Sequence, residues 1–315
     1  MNIVWIGFHE EGLPAFKATL ENGNKVSAFI TLDEDAFAKR SAGSRDYEAF
    51  CQKYGVEYFT VSTIKGDEAY EIIKKSKPDL LVVLGWSEIL SSRLLQIPTI
   101  GTIGTHAALL PHNKGSAPIN WAIIHGEKVT GNTMMWLSEK VDSGSIIDQI
   151  EFPITPYDTC KTLYDQVAET NAVMLQNLIK KLNEGTKPVL DISNENNEPI
   201  LPRRRPKDGL LDWQQSAEKI YDFIRALTIP YPGAFTFWNG KKYIIWKANI
   251  LPLAAGVDAG VILGKSYGFS DNSCGFVVGT KTNAILITEI EDENGVVYSG
   301  KDLNDLNLEG EFTNE

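Results

Sequence analysis

The chain is poor in several features that mark other protein classes. It has three cysteines, Cys51, Cys160 and Cys274, which lie far apart without the Cys-x-x-Cys spacing of a zinc site. No apolar run approaches the roughly 20 residues of a membrane-spanning helix, and the first residues lack the basic and apolar stretches of a signal peptide. We therefore expect no metal, no membrane association, buried or neutral thiols, and residence in the cytoplasm.

Positive charge is also in short supply. Lys and Arg number 30 against 41 Asp and Glu, which gives a formal net charge of -11. This balance repels polyanions at long range, so nucleic acid is not an expected partner and a small-molecule substrate is favoured. Hydrophobic residues make up 43% of the 315 residues, which is ample for a folded core. The length favours one large domain and one smaller domain.

The first half of the chain alternates between two patterns. Short apolar, β-prone runs are separated by segments with helical spacing, and this alternation predicts an α/β domain with a parallel sheet. The run at 80–84 is apolar throughout, which is typical of a central strand buried on both faces. Ligands bind beyond the carboxyl ends of such strands, so the loops after 84 and after 103 should face one crevice. The predicted strands are 3–6, 26–31, 56–61, 80–84 and 99–103, and the predicted helices are 13–20, 46–54 and 67–75.

The second half of the chain changes character. A long helical pattern at 159–182 closes the first domain, and the polar stretch that follows is rich in Asn, Glu, Gly and Pro. Beyond it come one helix at 216–227 and several short strands separated by turn residues, which predict a small β-barrel or sandwich. We place a catalytic domain at 1–190, a linker at 191–206 and a C-terminal domain at 207–315. The acidic last dozen residues predict a frayed end.

Two residues could carry acid–base chemistry. His106 follows a predicted strand, where a histidine can move protons near neutral pH, and Asp142 could fix its tautomer if it lay beside it. Each residue also has a simpler explanation. A lone histidine is more often structural than catalytic, and an Asp-Ser-Gly stretch such as 142–144 is usually a turn in which the aspartate caps its own backbone. The residue pattern alone leaves these alternatives open.

The residues around His106 resemble a known family. The stretch His-Ala-Ala-Leu-Leu-Pro and the short motifs that follow it are similar to the formyltransferase signature shared by methionyl-tRNA formyltransferases and nucleotide-sugar formyltransferases. The matching residues are 106–111, Lys114-Gly115, Ala117-Pro118 and Asp142-Ser143-Gly144.

A second block resembles the start of the same family's C-terminal domain. Its residues are 203–209, Asp212-Trp213, 224–227 and 230–235. The two blocks occur in the family's order and together cover nearly the whole chain. The resemblance implies a Rossmann-like N-terminal domain that binds 10-formyltetrahydrofolate, followed by a smaller β-rich domain resembling an OB-fold.

The resemblance also assigns roles to the catalytic residues. It implies that His106 acts as acid and base or as oxyanion stabiliser, and that Asp142 orients it. One position departs from the family pattern, because Gly104 stands where an asparagine is usual two residues before the histidine. Protonated His106, a hydroxyl of Thr102 or Thr105, or a bound water would then serve as oxyanion donor. Otherwise the protein would be a folate-binding homologue with reduced activity.

Further site residues follow from the resemblance. The loop after 84 corresponds to the segment that cradles the pterin ring, although Trp86 alone would read as a core residue. Lys114 replaces the family's more usual arginine, which keeps the charge and loses the planar fork, and it could contact a phosphate or a folate carboxylate or simply be solvated. The expected cofactor-binding residues are Gly85, Trp86, Ser87, Ile89, Leu90, Leu110 and Val141. The expected substrate-binding residues are His9, Lys114, Gly115, Ala117 and Pro118.

Two acceptors compete for the formyl group. The tRNA enzymes of the family carry a basic loop after the second strand, whereas residues 31–37 here read Thr-Leu-Asp-Glu-Asp-Ala-Phe, with Lys39, Arg40 and Arg45 following. Residues 117–127 resemble the amino-sugar branch, including 4-amino-4-deoxyarabinose formyltransferases. We therefore expect the acceptor to be a nucleotide-linked amino sugar used in the biosynthesis of surface polysaccharide or lipopolysaccharide, with methionyl-tRNA as the alternative. The oligomeric state stays open, with a homodimer as one option.

Overall fold

The computed structural model describes residues 1–40, 42–252, 258–268, 270 and 273–315. Residue contacts divide the chain into two compact units. Unit 1 comprises Met1–Pro118, Val129–Pro153 and Leu163–Pro202, and unit 2 comprises Ile119–Lys128, Ile154–Thr162 and Arg203–Glu315. The domain boundaries placed at residues 190 and 206 stay a prediction.

Unit 1 is built on a seven-stranded sheet with the order β3-β2-β1-β4-β5-β6-β7. The first five strands are parallel, as their alternation with helices predicts, and the Rossmann-like fold class is confirmed. The sheet is nevertheless mixed, because β6 and β7 extend it as antiparallel strands. The strands are β1 Ile3–Ile6, β2 Val26–Leu32, β3 Glu57–Val61, β4 Leu80–Val83, β5 Gly101–His106, β6 Val129–Trp136 and β7 Ile146–Pro153.

The helices begin and end where local sequence signals place them. Helix α1 has a proline in its first turn, and α3 ends at Gly55, which takes the left-handed conformation typical of a helix C-terminus. All the helices predicted from periodicity are present, with ends within about two residues of expectation. The helices are α1 Leu13–Glu21, α2 Glu34–Phe37, α3 Asp46–Tyr54, α4 Asp67–Ser76, α5 Ser92–Leu95, α6 Pro118–Ile124, α7 Cys160–Asn183 and α8 Ala217–Leu227.

The core of unit 1 lies on both faces of its sheet. Alternate residues of β1 and β4 point to opposite sides, so each strand contributes to two separate clusters. β4 is buried along its whole length, which confirms its predicted central place. One cluster contains Ile3, Trp5, Leu80 and Val82 with residues of α1 and α7, and the other contains Val4, Ile6, Leu81 and Val83 with residues of α4.

Unit 2 contains a second, wholly antiparallel sheet with the order β10-β11-β12-β9-β8, to which β13 is added beside β12. A separate β-rich C-terminal domain is thereby confirmed, while the OB-fold name stays a prediction. Helix α8 begins after Ser216, whose side chain accepts a hydrogen bond from the Lys219 N–H. The strands are β8 Ala234–Trp238, β9 Lys241–Leu251, β10 Ile262–Ser266, β11 Gly275–Gly279, β12 Ala284–Glu291 and β13 Val297–Ser299.

Two smaller expectations meet different outcomes. The prediction of a frayed C-terminus is wrong, because Phe312 is buried and Thr313 exchanges two backbone hydrogen bonds with Phe237. The three cysteines are free and buried, as expected, and burial raises the pKa of both Cys51 and Cys160 to about 12. Within the described ranges, no helix is both long enough and apolar enough to cross a membrane.

Candidate active site

His106 and Asp142 come together from two different parts of unit 1. His106 is the last residue of β5, at the edge where the parallel strands end, and Asp142 lies in the loop between β6 and β7. The His106 Nδ1 atom is 3.5 Å from Asp142 Oδ2, and their side chains are 7% and 17% exposed. The pair predicted from sequence is therefore assembled in a protected position that still reaches the surface.

The second ring nitrogen of His106 also faces an oxygen. Its Nε2 atom is 2.7 Å from the Asn113 carbonyl oxygen, and because a carbonyl only accepts, Nε2 carries the hydrogen in this arrangement. Both nitrogens thus have an acceptor beside them. Any proton exchange with a substrate through Nε2 requires the Asn113 carbonyl to be displaced.

Asp142 is both a turn residue and a partner of the histidine. Its backbone takes a left-handed conformation with φ of 46°, and its Oδ2 accepts a hydrogen bond of 2.9 Å from the Gly115 N–H. The turn closes at Gly144, where a Cβ atom would lie 1.7 Å from the Trp136 carbonyl oxygen. Only glycine fits there, so the Asp-Ser-Gly turn serves to direct the carboxylate towards His106 and Gly115.

The loop after β5 is held by hydrogen bonds to the antiparallel strands. Thr133 of β6 donates its hydroxyl to the Ala108 carbonyl at 2.6 Å, and Gln149 of β7 donates to the Leu110 carbonyl at 3.0 Å. Further along, the Lys114 ammonium donates to the Asn194 carbonyl at 2.6 Å. Of the remaining predicted substrate-binding residues, Gly115 contacts Asp142, Ala117 takes a left-handed φ of 55°, and Pro118 begins α6.

The space beside Gly104 is filled by a residue that the sequence did not suggest. A Cβ atom at position 104 would lie 2.8 Å from Leu137 Cδ2, with two more Leu137 atoms at 3.2 Å. Leu137 is also packed against the cluster of Leu110, Met135 and Ile146. The apolar Leu137 side chain therefore fills the space that a side chain at position 104 would enter.

The alternative donors on β5 differ in position. Thr102, Gly104 and His106 share one face of the strand, because side chains alternate, and Thr105 lies on the other. Thr102 is 4% exposed, and its hydroxyl oxygen has no hydrogen-bond partner among the described residues. Its carbonyl accepts the Leu137 N–H at 2.8 Å.

The loop after β4 lies against the end of β1. Gly85 has a left-handed φ of 65°, and its carbonyl accepts hydrogen bonds of 3.3 Å from both Phe8 and His9. The Trp86 ring packs edge-on against Phe8 at 5.7 Å. The predicted cofactor residues divide by burial. Gly85, Leu90 and Leu110 are buried, Trp86 is half-buried, and Ser87, Ile89 and Val141 are exposed.

His9 is tied to its own loop. Its Nδ1 atom accepts the Glu11 N–H at 3.2 Å and lies 3.6 Å from a Glu11 carboxylate oxygen, and its ring is 5.7 Å from that of Tyr164. It therefore lies at the carboxyl end of β1, beside Gly85.

Ion pairs that sequence reasoning missed lie after β2 and β4. Arg40 contacts Glu88 at 3.5 Å and lies 6.0 Å from the Phe8 ring centroid. Arg45 forms a two-point pair with Glu34 at 2.6 and 2.8 Å, and this hydrogen bonding lowers the pKa of Glu34. Two of the three basic side chains after the acidic stretch are thus already paired with carboxylates.

No metal site accompanies this arrangement within the part of the chain that the structure describes, where no group of three or more His, Cys, Asp or Glu side chains is suited to hold an ion.

Comparison with known proteins gives matches along most of the chain. Residues 9–179 match the family described as formyl transferase, and residues 204–306 match the formyl transferase C-terminal domain. The bifunctional polymyxin resistance protein ArnA of Wigglesworthia glossinidia brevipalpis is 34% identical over 79% of this chain and 38% of its own length. A methionyl-tRNA formyltransferase of Geobacillus thermodenitrificans is 33% identical over 92% of this chain and 89% of its own.

A solved structure shows the same fold. The protein WlaRD, a sugar 3N-formyl transferase crystallised in the presence of dTDP and 5-N-formyl-THF, superposes with a TM-score of 0.63 over 94% of this chain and 99% of its own. The sequence identity is 16%, so the likeness concerns the fold. The chain thus spans nearly the whole of two of these three proteins and well under half of the ArnA relative.

Proposed function

This chain belongs to the formyl transferase family, and we propose that it transfers a formyl group from 10-formyltetrahydrofolate to the amino group of a nucleotide-linked amino sugar. The family membership predicted from the two sequence blocks is confirmed by matches to both family domains. Transfer of a formyl group from a formyl-folate donor follows from that membership. The acceptor, and the residues that act on it, are the proposal.

The reaction is an acyl transfer in which bonds to one carbon are exchanged. The acceptor nitrogen attacks the formyl carbon, the carbonyl oxygen becomes an oxyanion, and the bond from carbon to the folate N10 then breaks. One proton leaves the attacking amine and one reaches N10. We assign these proton transfers to His106, which Asp142 holds at 3.5 Å and whose Nε2–H would turn from the Asn113 carbonyl to the substrate.

The oxyanion needs a donor that does not depend on residue 104. Leu137 fills that space, Thr105 lies on the opposite face of β5, and Thr102 is buried two residues earlier. His106 is the remaining side-chain donor on β5, and it ends the strand. We therefore assign oxyanion stabilisation to its Nε2–H as well.

The folate pocket is assigned to the loop after β4 and its neighbours. The buried residues Gly85, Leu90 and Leu110 would form its wall. The exposed residues Ser87, Ile89 and Val141 would offer accessible surface against which the planar pterin ring can pack. Lys114 retains two ammonium hydrogens beyond its bond to the Asn194 carbonyl, so it is placed to contact a carboxylate or a phosphate.

The segment after β2 carries the choice of acceptor. Asp33, Glu34 and Asp35 are acidic, and the basic Arg40 and Arg45 are paired with Glu88 and Glu34. A surface arranged in this way offers little to the phosphates of a tRNA acceptor stem. The likeness to a sugar formyltransferase supports an amino sugar as the acceptor. The sequence similarity to methionyl-tRNA formyltransferases supports methionyl-tRNA, the alternative acceptor.

The test is formyl transfer from 10-formyltetrahydrofolate to a panel of UDP-, dTDP- and GDP-linked amino sugars, with charged initiator tRNA assayed in parallel. Turnover of an amino sugar at least about a hundredfold more efficient than that of tRNA is the expected result. Preferred turnover of tRNA would overturn the assignment. If no acceptor reacts while 5-formyltetrahydrofolate still binds, measured by calorimetry, the protein is instead a folate-binding homologue with reduced activity.

A further inference from the structure

The segment 188–202 has no helix or strand, yet it contacts both loops of the candidate site. Most of its side chains are exposed, and the half-buried ones are Pro188, Asn194, Asn196 and Leu201. Each of these four residues forms a hydrogen bond to the rest of unit 1. The segment is therefore attached at a few specific points and not by a continuous packed surface.

Its first attachments lie beside the Asp142 loop. The Trp136 indole donates to the Pro188 carbonyl at 2.9 Å, and the Leu190 N–H donates to the Ile146 carbonyl at 2.8 Å. Its last attachments lie on the loop after β5, where the Leu201 N–H donates to the Lys114 carbonyl at 2.7 Å and the Leu201 carbonyl accepts the Ser116 N–H at 3.1 Å. The Asn196 amide donates to the Pro111 carbonyl in the same loop.

Asn194 joins the two loops to each other. Its side-chain amide donates to the carbonyls of Asp142 at 3.0 Å and Gly144 at 2.9 Å. Its own carbonyl accepts the Lys114 ammonium at 2.6 Å. These bonds fix both ends of the turn that carries the Asp142 carboxylate, in which Asp142 has a left-handed backbone.

We propose that Asn194 is a positioning residue for the formyl-transfer reaction, acting by fixing the Asp142 turn so that its carboxylate faces His106 and the Gly115 N–H. The inference rests on the proposed role of the His106–Asp142 pair. Asn194 does not contact the reacting atoms. Its loss would let the turn relax, lengthen the contact between Asp142 and His106, and release the hydrogen bond to Gly115.

The chain contains a matched control for the loss of such bonds. Asn2 donates its side-chain amide to the carbonyls of Ser76 and Lys77 at 2.8 and 3.1 Å, and Lys77 has a left-handed φ of 47°. Asn2→Ala therefore removes the same kind of bonds from the same kind of turn. It does so at the amino end of β1, the opposite edge of the sheet from His106.

The first measurement needs no acceptor. In ¹⁵N-labelled protein, hydrogen exchange at the Gly115 amide reports on its hydrogen bond to Asp142. We expect this exchange to be at least about tenfold faster in Asn194→Ala than in the wild type, and unchanged in Asn2→Ala. Asn194→Ser, which keeps one donor, should give an intermediate rate and serves if the alanine variant is poorly folded. Equal Gly115 exchange in the wild type and both Asn194 variants would overturn the proposal.

The second measurement is kinetic, with the acceptor that the panel identifies. We expect Asn194→Ala to lower kcat about tenfold with KM for 10-formyltetrahydrofolate unchanged, and Asn2→Ala to leave kcat unchanged. In an Asp142→Ala background, Asn194→Ala should cost nothing further, because its effect acts through Asp142. If Asp142→Ala itself keeps full activity, the proposed function of the pair fails. If only Asn194→Ala keeps it, this inference alone fails.

Discussion

The His106 ring lies between the Asp142 carboxylate and the Asn113 main-chain carbonyl. These contacts determine how substitution of His106 should affect formyl transfer. With the ring removed, neither the proton transfer nor the oxyanion has its assigned partner. We predict that His106→Ala or Asp142→Ala lowers formyl transfer by about a hundredfold or more. Initial rates measured at saturating donor, with circular dichroism to verify folding, would test this.

A second histidine beside an acid provides the control. His125 lies 3.9 Å from Glu127, is about half exposed, and has no assigned role. His125→Ala should keep the wild-type rate. An equal loss of activity in His125→Ala and His106→Ala would mean that the effect is not specific to the His106–Asp142 pair.

Gly104 illustrates how a neighbouring side chain controls a substitution. Restoring the family's asparagine places a Cβ atom 2.8 Å from Leu137 Cδ2, so Gly104→Asn alone should lower activity. The double variant Gly104→Asn/Leu137→Ala has room for the amide, and we predict higher turnover than in Leu137→Ala alone. If the asparagine lowers kcat in both backgrounds to the same extent, Leu137 does not account for the glycine.

Among the helices and strands, α8 depends on one buried arginine. Arg225 is 6% exposed, pairs with Asp222 at 2.7 Å, and donates to the carbonyls of Thr155 and Asp158 at 2.9 and 2.6 Å. All these residues belong to unit 2. The guanidinium of this helix thus supplies the hydrogen-bond donor for the carbonyls of Thr155 and Asp158.

We predict that Arg225→Ala lowers the free energy of unfolding by about 3 kcal/mol, because it leaves a carboxylate and two carbonyls without their donor. Urea titration followed by tryptophan fluorescence would measure the loss. Lys219→Ala, on the same helix with an exposed side chain, should cost under about 0.5 kcal/mol. Similar losses for the two variants would contradict the role given to Arg225.

For the molecule as a whole, acid should be the destabilising condition. The Asn2 backbone N–H and the Thr99 hydroxyl lower the pKa of Asp79 below its ordinary value of 3.8. At Asp158, burial raises the pKa, but hydrogen bonds from Thr155 and Thr162 outweigh it and the net change is downward. A carboxyl group with a depressed folded pKa stabilises the protein above its unfolded pKa and loses that contribution as pH falls through the folded value.

We therefore predict that the free energy of unfolding is nearly constant between about pH 7 and pH 5 and declines below about pH 4. Urea unfolding at a series of pH values gives the curve. In Asp79→Asn the decline should be shallower, because one of these carboxyl groups no longer titrates. A wild-type stability that stays level down to about pH 3 would disprove the account.

The sequence by itself determined the class of fold and the family. Strands and helices of unit 1 follow from local periodicity, since a run such as Leu80–Val83 is apolar throughout and a helix such as α3 ends at a glycine. The family motifs lie in short contiguous blocks, so His106 and Asp142 could be named before any geometry was known. Each of these features depends on residues that are close together in the chain, and such local patterns can be seen in the sequence.

Only the tertiary structure decided how the site is built. The antiparallel strands β6 and β7, Leu137 in the space beside Gly104, and the pairing of Arg40 with Glu88 had no signal in the sequence pattern. The bonds of Asn194 join residues 52 positions apart at Asp142 and 80 positions apart at Lys114. Contacts over such separations depend on how the whole chain folds back on itself, and neither periodicity nor turn chemistry encodes them.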